Sequence, residues 1–194
     1  CGNTSPYSVT SEAAIIRLSG GGGTDVYLNQ TMVRVSWNPS PEADTKGYDI
    51  YRAPALNGNY TKASASPVAA NTWTDSEVTD GSSYFYRIAA IDTCGNVSAF
   101  STPSGAAIID MTAPTVTASP LAGMYSSPVS VTLNASETAA IYYTTDGSTP
   151  TRTSSICTAP ISVAGTTTLT YFAVDLASNE SEVQTGRYVI GGST

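Results

Sequence analysis

Apolar and polar residues alternate with a period of two along most of this chain, and clusters of Gly, Pro, Asn, Asp and Ser interrupt the alternation. A period of two puts successive side chains on opposite faces of an extended segment, so each alternating run predicts a half-buried β-strand. The clearest runs are Val33-Arg34-Val35-Ser36-Trp37, Tyr84-Phe85-Tyr86-Arg87-Ile88, Val129-Ser130-Val131-Thr132-Leu133 and Leu169-Thr170-Tyr171-Phe172. Further strands are predicted around Val26 and Leu28, and at 47–52, 72–75, 115–118, 140–145, 161–163 and 186–190. No extended run carries the period of an amphipathic helix. The prediction is an all-β chain.

One turn phrase occurs twice, as Ala90-Ile91-Asp92-Thr93-Cys94-Gly95-Asn96-Val97-Ser98 and as Ala173-Val174-Asp175-Leu176-Ala177-Ser178-Asn179-Glu180-Ser181. Aspartate opens such a turn by accepting backbone hydrogen bonds, and small residues with Asn tolerate the tight or left-handed positions that follow. Each copy closes an alternating run, so each marks the end of its own β-domain. A length of 194 residues accommodates two sandwiches of the usual size, about 100 residues each. The predicted organisation is an N-terminal extension (1–23), a first sandwich (24–109), a Pro-containing linker (110–114) and a second sandwich (115–194).

The extension holds a β-competent segment, Ala13-Ala14-Ile15-Ile16-Arg17-Leu18, in which Ala14, Ile16 and Leu18 share a face, followed by the hinge Gly20-Gly21-Gly22-Gly23. Such a segment is either an edge strand folded back on its own domain or an arm that completes a neighbour's sheet. In the second case Ala14, Ile16 and Leu18 are the assembly residues. Head-to-tail contacts of that kind, when they do not close, make fibres.

Two resemblances sharpen the domain assignment. Trp37, the strand Gly47-Tyr48-Asp49-Ile50-Tyr51-Arg52, Trp73-Thr74-Asp75 and the stretch from Val78 to Ala90 resemble a bacterial fibronectin type III domain. The resemblance implies that Tyr84 hydrogen-bonds backbone as the corner tyrosine and that both tryptophans face the core. The second half carries Ile141-Tyr142-Tyr143-Thr144-Thr145-Asp146-Gly147-Ser148-Thr149-Pro150-Thr151, then Ala159-Pro160-Ile161, then Thr167 through Ser181. It is similar to the chitobiase/β-hexosaminidase C-terminal domain, a small β-sandwich appended to secreted glycosidases and to many bacterial surface proteins. Together they imply tandem immunoglobulin-like β-sandwiches, and the second implies an accessory role. The start Cys1-Gly2-Asn3-Thr4-Ser5-Pro6 resembles a bacterial lipoprotein after signal-peptide removal, which implies a lipid on Cys1 and an extracellular or outer-cell-surface location.

Charge and composition narrow the chemistry. A formal charge of −7, from 8 basic and 15 acidic residues, provides no footprint for nucleic acid, and apolar runs of four or five residues fall far short of the ~20 a helical span requires. A membrane is reached only through a lipid at Cys1. With no histidine in the chain, Ser-His, Cys-His and His-ligated metal chemistry are excluded. Most acids sit in turns, where their ordinary role is to satisfy amides. Neither an enzyme nor a cofactor is expected. Asp175, Asn179, Glu180 and Glu182 offer hard oxygens for calcium, a pattern that ordinary turn chemistry also produces.

Three cysteines cannot all pair within one chain. If Cys1 is lipidated, Cys94 and Cys157 remain, one per domain, and strand alternation puts them a domain length apart, against the ~7 Å limit between Cα atoms. They are expected to pair between neighbouring molecules or to stay as isolated thiols. The sequons at Asn3, Asn29, Asn59, Asn96, Asn134 and Asn179 fit the composition of a Ser/Thr-rich chain. For a sugar, the contacts would come from exposed aromatics, with Tyr51, Tyr125 and Tyr142 the candidates.

Two functions are therefore expected. The first is a non-enzymatic structural protein of a bacterial surface, self-associating or bound to another surface protein, with a filament subunit as its sharpest form. The alternative is a carbohydrate-binding accessory module of glycoside hydrolases, whose partner is polysaccharide.

Overall fold

A computed structural model describes residues 17–18, 26–28 and 31–191; Cys1, Ala14 and Ile16 lie outside them. Every regular element among the described residues is a strand. The chain divides into two compact units, Cys1–Met111 and Thr112–Thr194.

The first unit contains β1 (Arg17–Leu18), β2 (Val26–Leu28), β3 (Val33–Ser36), β4 (Thr45–Ala53), β5 (Thr61–Lys62), β6 (Thr72–Asp75), β7 (Ser83–Asp92) and β8 (Ala107–Ile109). Its sheets run β1-β3-β6 and β2-β8-β7-β4-β5. All neighbours are antiparallel except β2 and β8, which are parallel. The second unit contains β9 (Val116–Ser119), β10 (Gly123–Tyr125), β11 (Val129–Ala135), β12 (Ala139–Thr144), β13 (Ser155–Ile156), β14 (Ile161–Val163), β15 (Thr167–Asp175) and β16 (Gln184–Ile190). Its sheets run β9-β11-β14 and β10-β16-β15-β12-β13, with β10 and β16 parallel. The two units share one immunoglobulin-like topology, strand for strand.

Alternation explains the cores. Val33 and Val35 of β3, Ile50 of β4 and Tyr86 of β7 point inward and are fully buried. Val131, Val163, Leu169 and Tyr188 do the same in the second unit. Trp37 is buried and Trp73 packs against the same core at partial burial, as the resemblance implied. Burying one such side chain contributes about 1.5–3 kcal/mol. The corner tyrosine is also in place, since Tyr84 Oη accepts the Thr79 N–H at 3.1 Å.

The first sheet begins upstream of residue 24, where the sequence boundary was drawn. Arg17 pairs with Ser36 and Leu18 with Val35, so part of the extension is an edge strand folded back on its own unit. Val26–Leu28, a strand as predicted, lies beside β8 in the other sheet.

A buried carboxylate joins the two layers of the first unit. Asp75 Oδ2 accepts Arg52 Nη1 at 2.7 Å and the Tyr86 hydroxyl at 2.9 Å, while Oδ1 accepts the Glu77 N–H at 3.0 Å. Asp75 is 2% exposed; its hydrogen bonds offset the cost of burying the charge.

Candidate functional site

The doubled turn phrase folds the same way in both units. Asp92 Oδ1 accepts the Asn96 N–H at 2.8 Å and Oδ2 accepts Asn96 Nδ2 at 2.6 Å; Asp175 accepts the Asn179 N–H and Nδ2, both at 2.8 Å. Two residues later Ser98 Oγ accepts the Ala90 N–H, and Ser181 Oγ accepts the Ala173 N–H, each at 2.9 Å. The left-handed position is Gly95 in one copy, with φ 89°, and Ser178 in the other, with φ 72°. These aspartates are committed to their turns. Glu180, another of the residues with calcium-like chemistry, pairs with Arg152 Nε at 2.8 Å. Burial works against ionisation of Asp92, but hydrogen bonds from the Asn96 side chain and from the amides of Asn96, Cys94 and Gly95 outweigh it and hold the carboxyl below its usual range.

Beyond the first turn the chain runs along β7 without forming a strand, held by three serines. Ser98, Ser101 and Ser104 each donate a backbone N–H to the carbonyl of Ala90, Ile88 or Tyr86, at 2.8 to 2.9 Å. Their hydroxyls accept the N–H of the same three residues at 2.9 to 3.0 Å. Each serine thus satisfies both backbone groups of one β7 residue. Phe100 sits between the first two rungs, 46% exposed.

Phe100 reaches across β7 to Tyr51 on β4, their centroids 4.7 Å apart at 71°. Tyr51 alternates outward because Tyr48 and Ile50 take the inward positions. In register, Lys62, Tyr51 and Arg87 form one row across β5, β4 and β7, with Asp49 and Ala89 the next row. Lys62 Nζ pairs with Asp49 Oδ2 at 2.7 Å. The Arg87 guanidinium lies over the Tyr60 ring, 4.6 Å from its centroid, a cation–π contact. Arg87 Nε and Asp49 Oδ1 are buried beneath this face without a hydrogen-bond partner among the described residues. The result is an outward face of rings and hydrogen-bonding groups fixed to a rigid sheet.

The other sequence candidates fall elsewhere. Tyr142 stacks on its cross-strand partner Phe172 at 5.5 Å and 25° on the outward face of the second unit. Tyr125 is committed to structure, packing on Tyr188 at 6.2 Å and donating its hydroxyl to the Leu121 carbonyl at 2.5 Å. Cys94 is an exposed free thiol; Cys157 is a half-buried one whose Sγ lies 3.5 Å from the Ala159 carbonyl. Sequence reasoning passed over Phe100, Tyr60 and Arg87. The Ser-Ala-Phe-Ser-Thr-Pro-Ser phrase, with serine at every third position, is the signal that could have found Phe100.

The fold defines the class: two units, each an immunoglobulin-like β-sandwich. Residues 120–185 match the family model of the chitobiase/beta-hexosaminidase C-terminal domain. A 98-residue stretch, half of this chain, is 38% identical to part of an amylopullulanase of Thermoanaerobacter thermohydrosulfuricus. A 77-residue stretch is 36% identical to part of exoglucanase B of Cellulomonas fimi and covers 38% of this chain. The matches span only 6% of either relative's length. Among solved structures, the fibronectin(III)-like modules of Clostridium thermocellum CbhA align with 91% of this chain and 95% of their own, at 13% identity and a TM-score of 0.46.

Proposed function

We propose that this chain is an accessory module that associates with polysaccharide outside the cell, in the service of glycan-degrading enzymes. The observation that carries the reading is its likeness to short segments of an amylopullulanase and an exoglucanase, enzymes whose names place them on glucans. An outward face built from Tyr51, Phe100 and Arg87 supports it chemically, since sugar rings present C–H groups to aromatic faces and hydroxyls to guanidinium donors. Assembly into filaments through the N-terminal strand is the weaker reading, because Arg17 and Leu18 pair with the chain's own β3. Lipid attachment at Cys1 and intermolecular pairing of Cys94 with Cys157 remain part of the proposal for a surface location; mass spectrometry of the native protein and non-reducing gels test them. To test the main reading, purified chain is mixed with granular starch and with microcrystalline cellulose. Retention on at least one solid, with no reducing sugar released, is expected. Full recovery in both supernatants overturns the reading.

A further inference from the structure

We propose that the outward face of β5-β4-β7 in the first unit is the glycan-contacting site, with Phe100 as the stacking ring and Arg87 as the hydrogen-bonding group, and that its ligand is a neutral hexose polymer. The proposal rests on the polysaccharide reading above and names where in the chain it acts.

Phe100 is unusual for an exposed aromatic because it is held from three directions. Ser98 and Ser101, on either side of it, are each bonded to β7 through both backbone and hydroxyl, and Tyr51 abuts its ring at 71°. A ring fixed in this way loses little freedom on binding, which is the condition for an efficient anchor. One row of the sheet then supplies a polar group beside it, since Arg87 is the cross-strand partner of Tyr51, while Asp49 and Ala89 of the next row are buried. The Tyr60 ring orients the Arg87 guanidinium.

Charge selects the ligand class. Lys62 is neutralised by Asp49 at 2.7 Å, which leaves Arg87 as the one uncompensated charge among the face residues named here. The chain as a whole carries −7 and repels a polyanion at low ionic strength. One arginine among rings suits a hydroxyl-rich neutral sugar better than a polyuronate, which calls for several cations. In the second unit, the position of the Asp49–Ala89 pair is occupied by Tyr142 and Phe172, stacked on each other. Those rings turn their faces toward one another, so the face with a free ring belongs to the first unit.

The test is titration calorimetry of the intact chain with amylopectin, cello-oligosaccharides and polygalacturonate. Wild type is compared with Phe100→Ser, Arg87→Gln and, as a surface control in the second unit, Leu121→Ser. Circular dichroism establishes that each variant is folded. The expected result is binding to a neutral glucan that weakens roughly five- to thirtyfold in Phe100→Ser, the scale of an interface anchor, with a smaller loss in Arg87→Gln and none in Leu121→Ser. Wild-type affinity retained by both Phe100→Ser and Arg87→Gln overturns the site while leaving the polysaccharide reading standing. Preference for polygalacturonate overturns the ligand class. If wild type binds none of the three, the underlying reading fails and the site with it.

Discussion

Asp75 and the two turn aspartates illustrate how acidic side chains in this protein act as structural acceptors. Asp75→Ala strips Arg52 and Tyr86 of their buried partner. Breaking a buried pair by removing one member costs about 3–5 kcal/mol, and a urea midpoint lowered to match is expected. Asp175→Ala removes two hydrogen bonds to Asn179 and is expected to cost about 1–3 kcal/mol in the same measurement. The Asp92 carboxyl, kept below its usual range against the opposing effect of burial by its hydrogen bonds, adds a pH dependence of known sign. With a folded pKa below the unfolded one, its contribution is complete above about pH 4 and is lost as pH falls through the lower value. Urea midpoints measured on the acid side should fall less steeply with pH in Asp92→Asn than in wild type.

At the level of elements, the long strands were legible in the sequence because large apolar residues recur at their inward positions. β3, β4, β7, β11, β12 and β15 lie where the period of two predicts. The short edge strands β5, β10 and β13, two or three residues each, carry too few residues for a period to register. The segment after Ser98 was illegible for another reason: it satisfies β7 through serine hydroxyls at every third residue, a pattern that neither helix nor strand templates contain. That same segment positions Phe100, so the candidate site was half visible, with Tyr51 found and its partners missed. Tyr125 lies apart from this face, in the short strand β10, where its hydroxyl donates to the Leu121 carbonyl. Ser101→Ala removes the acceptor for the Ile88 N–H and is expected to cost about 1 kcal/mol while loosening Phe100. Gly147 is at φ 85°, and a Cβ there would lie 3.1 Å from Thr168 Cγ2. Gly147→Ala should destabilise the second unit by about 1–3 kcal/mol, read from its melting transition.

For the whole molecule, two sandwiches of one topology carry different sequences and different outward faces. Burial raises the pKa of Tyr86 in the first unit, helped by the negative charge of Asp75, and burial likewise raises Tyr171 and Tyr188 in the second. Folded values above the unfolded ones mean that this stabilisation is complete below about pH 10 and is lost as pH rises further. Both units should therefore weaken at alkaline pH, with tyrosinate absorbance rising as they unfold. The shared fold does not distinguish a filament subunit from a glycan-associated module; the composition of one outward face and the enzyme segments that the chain resembles favour the module. The most direct test is a depletion isotherm of the intact chain on insoluble starch and cellulose. Saturable loss from solution, reversed by soluble glucan, is the predicted result, and a flat isotherm on both solids would contradict the account.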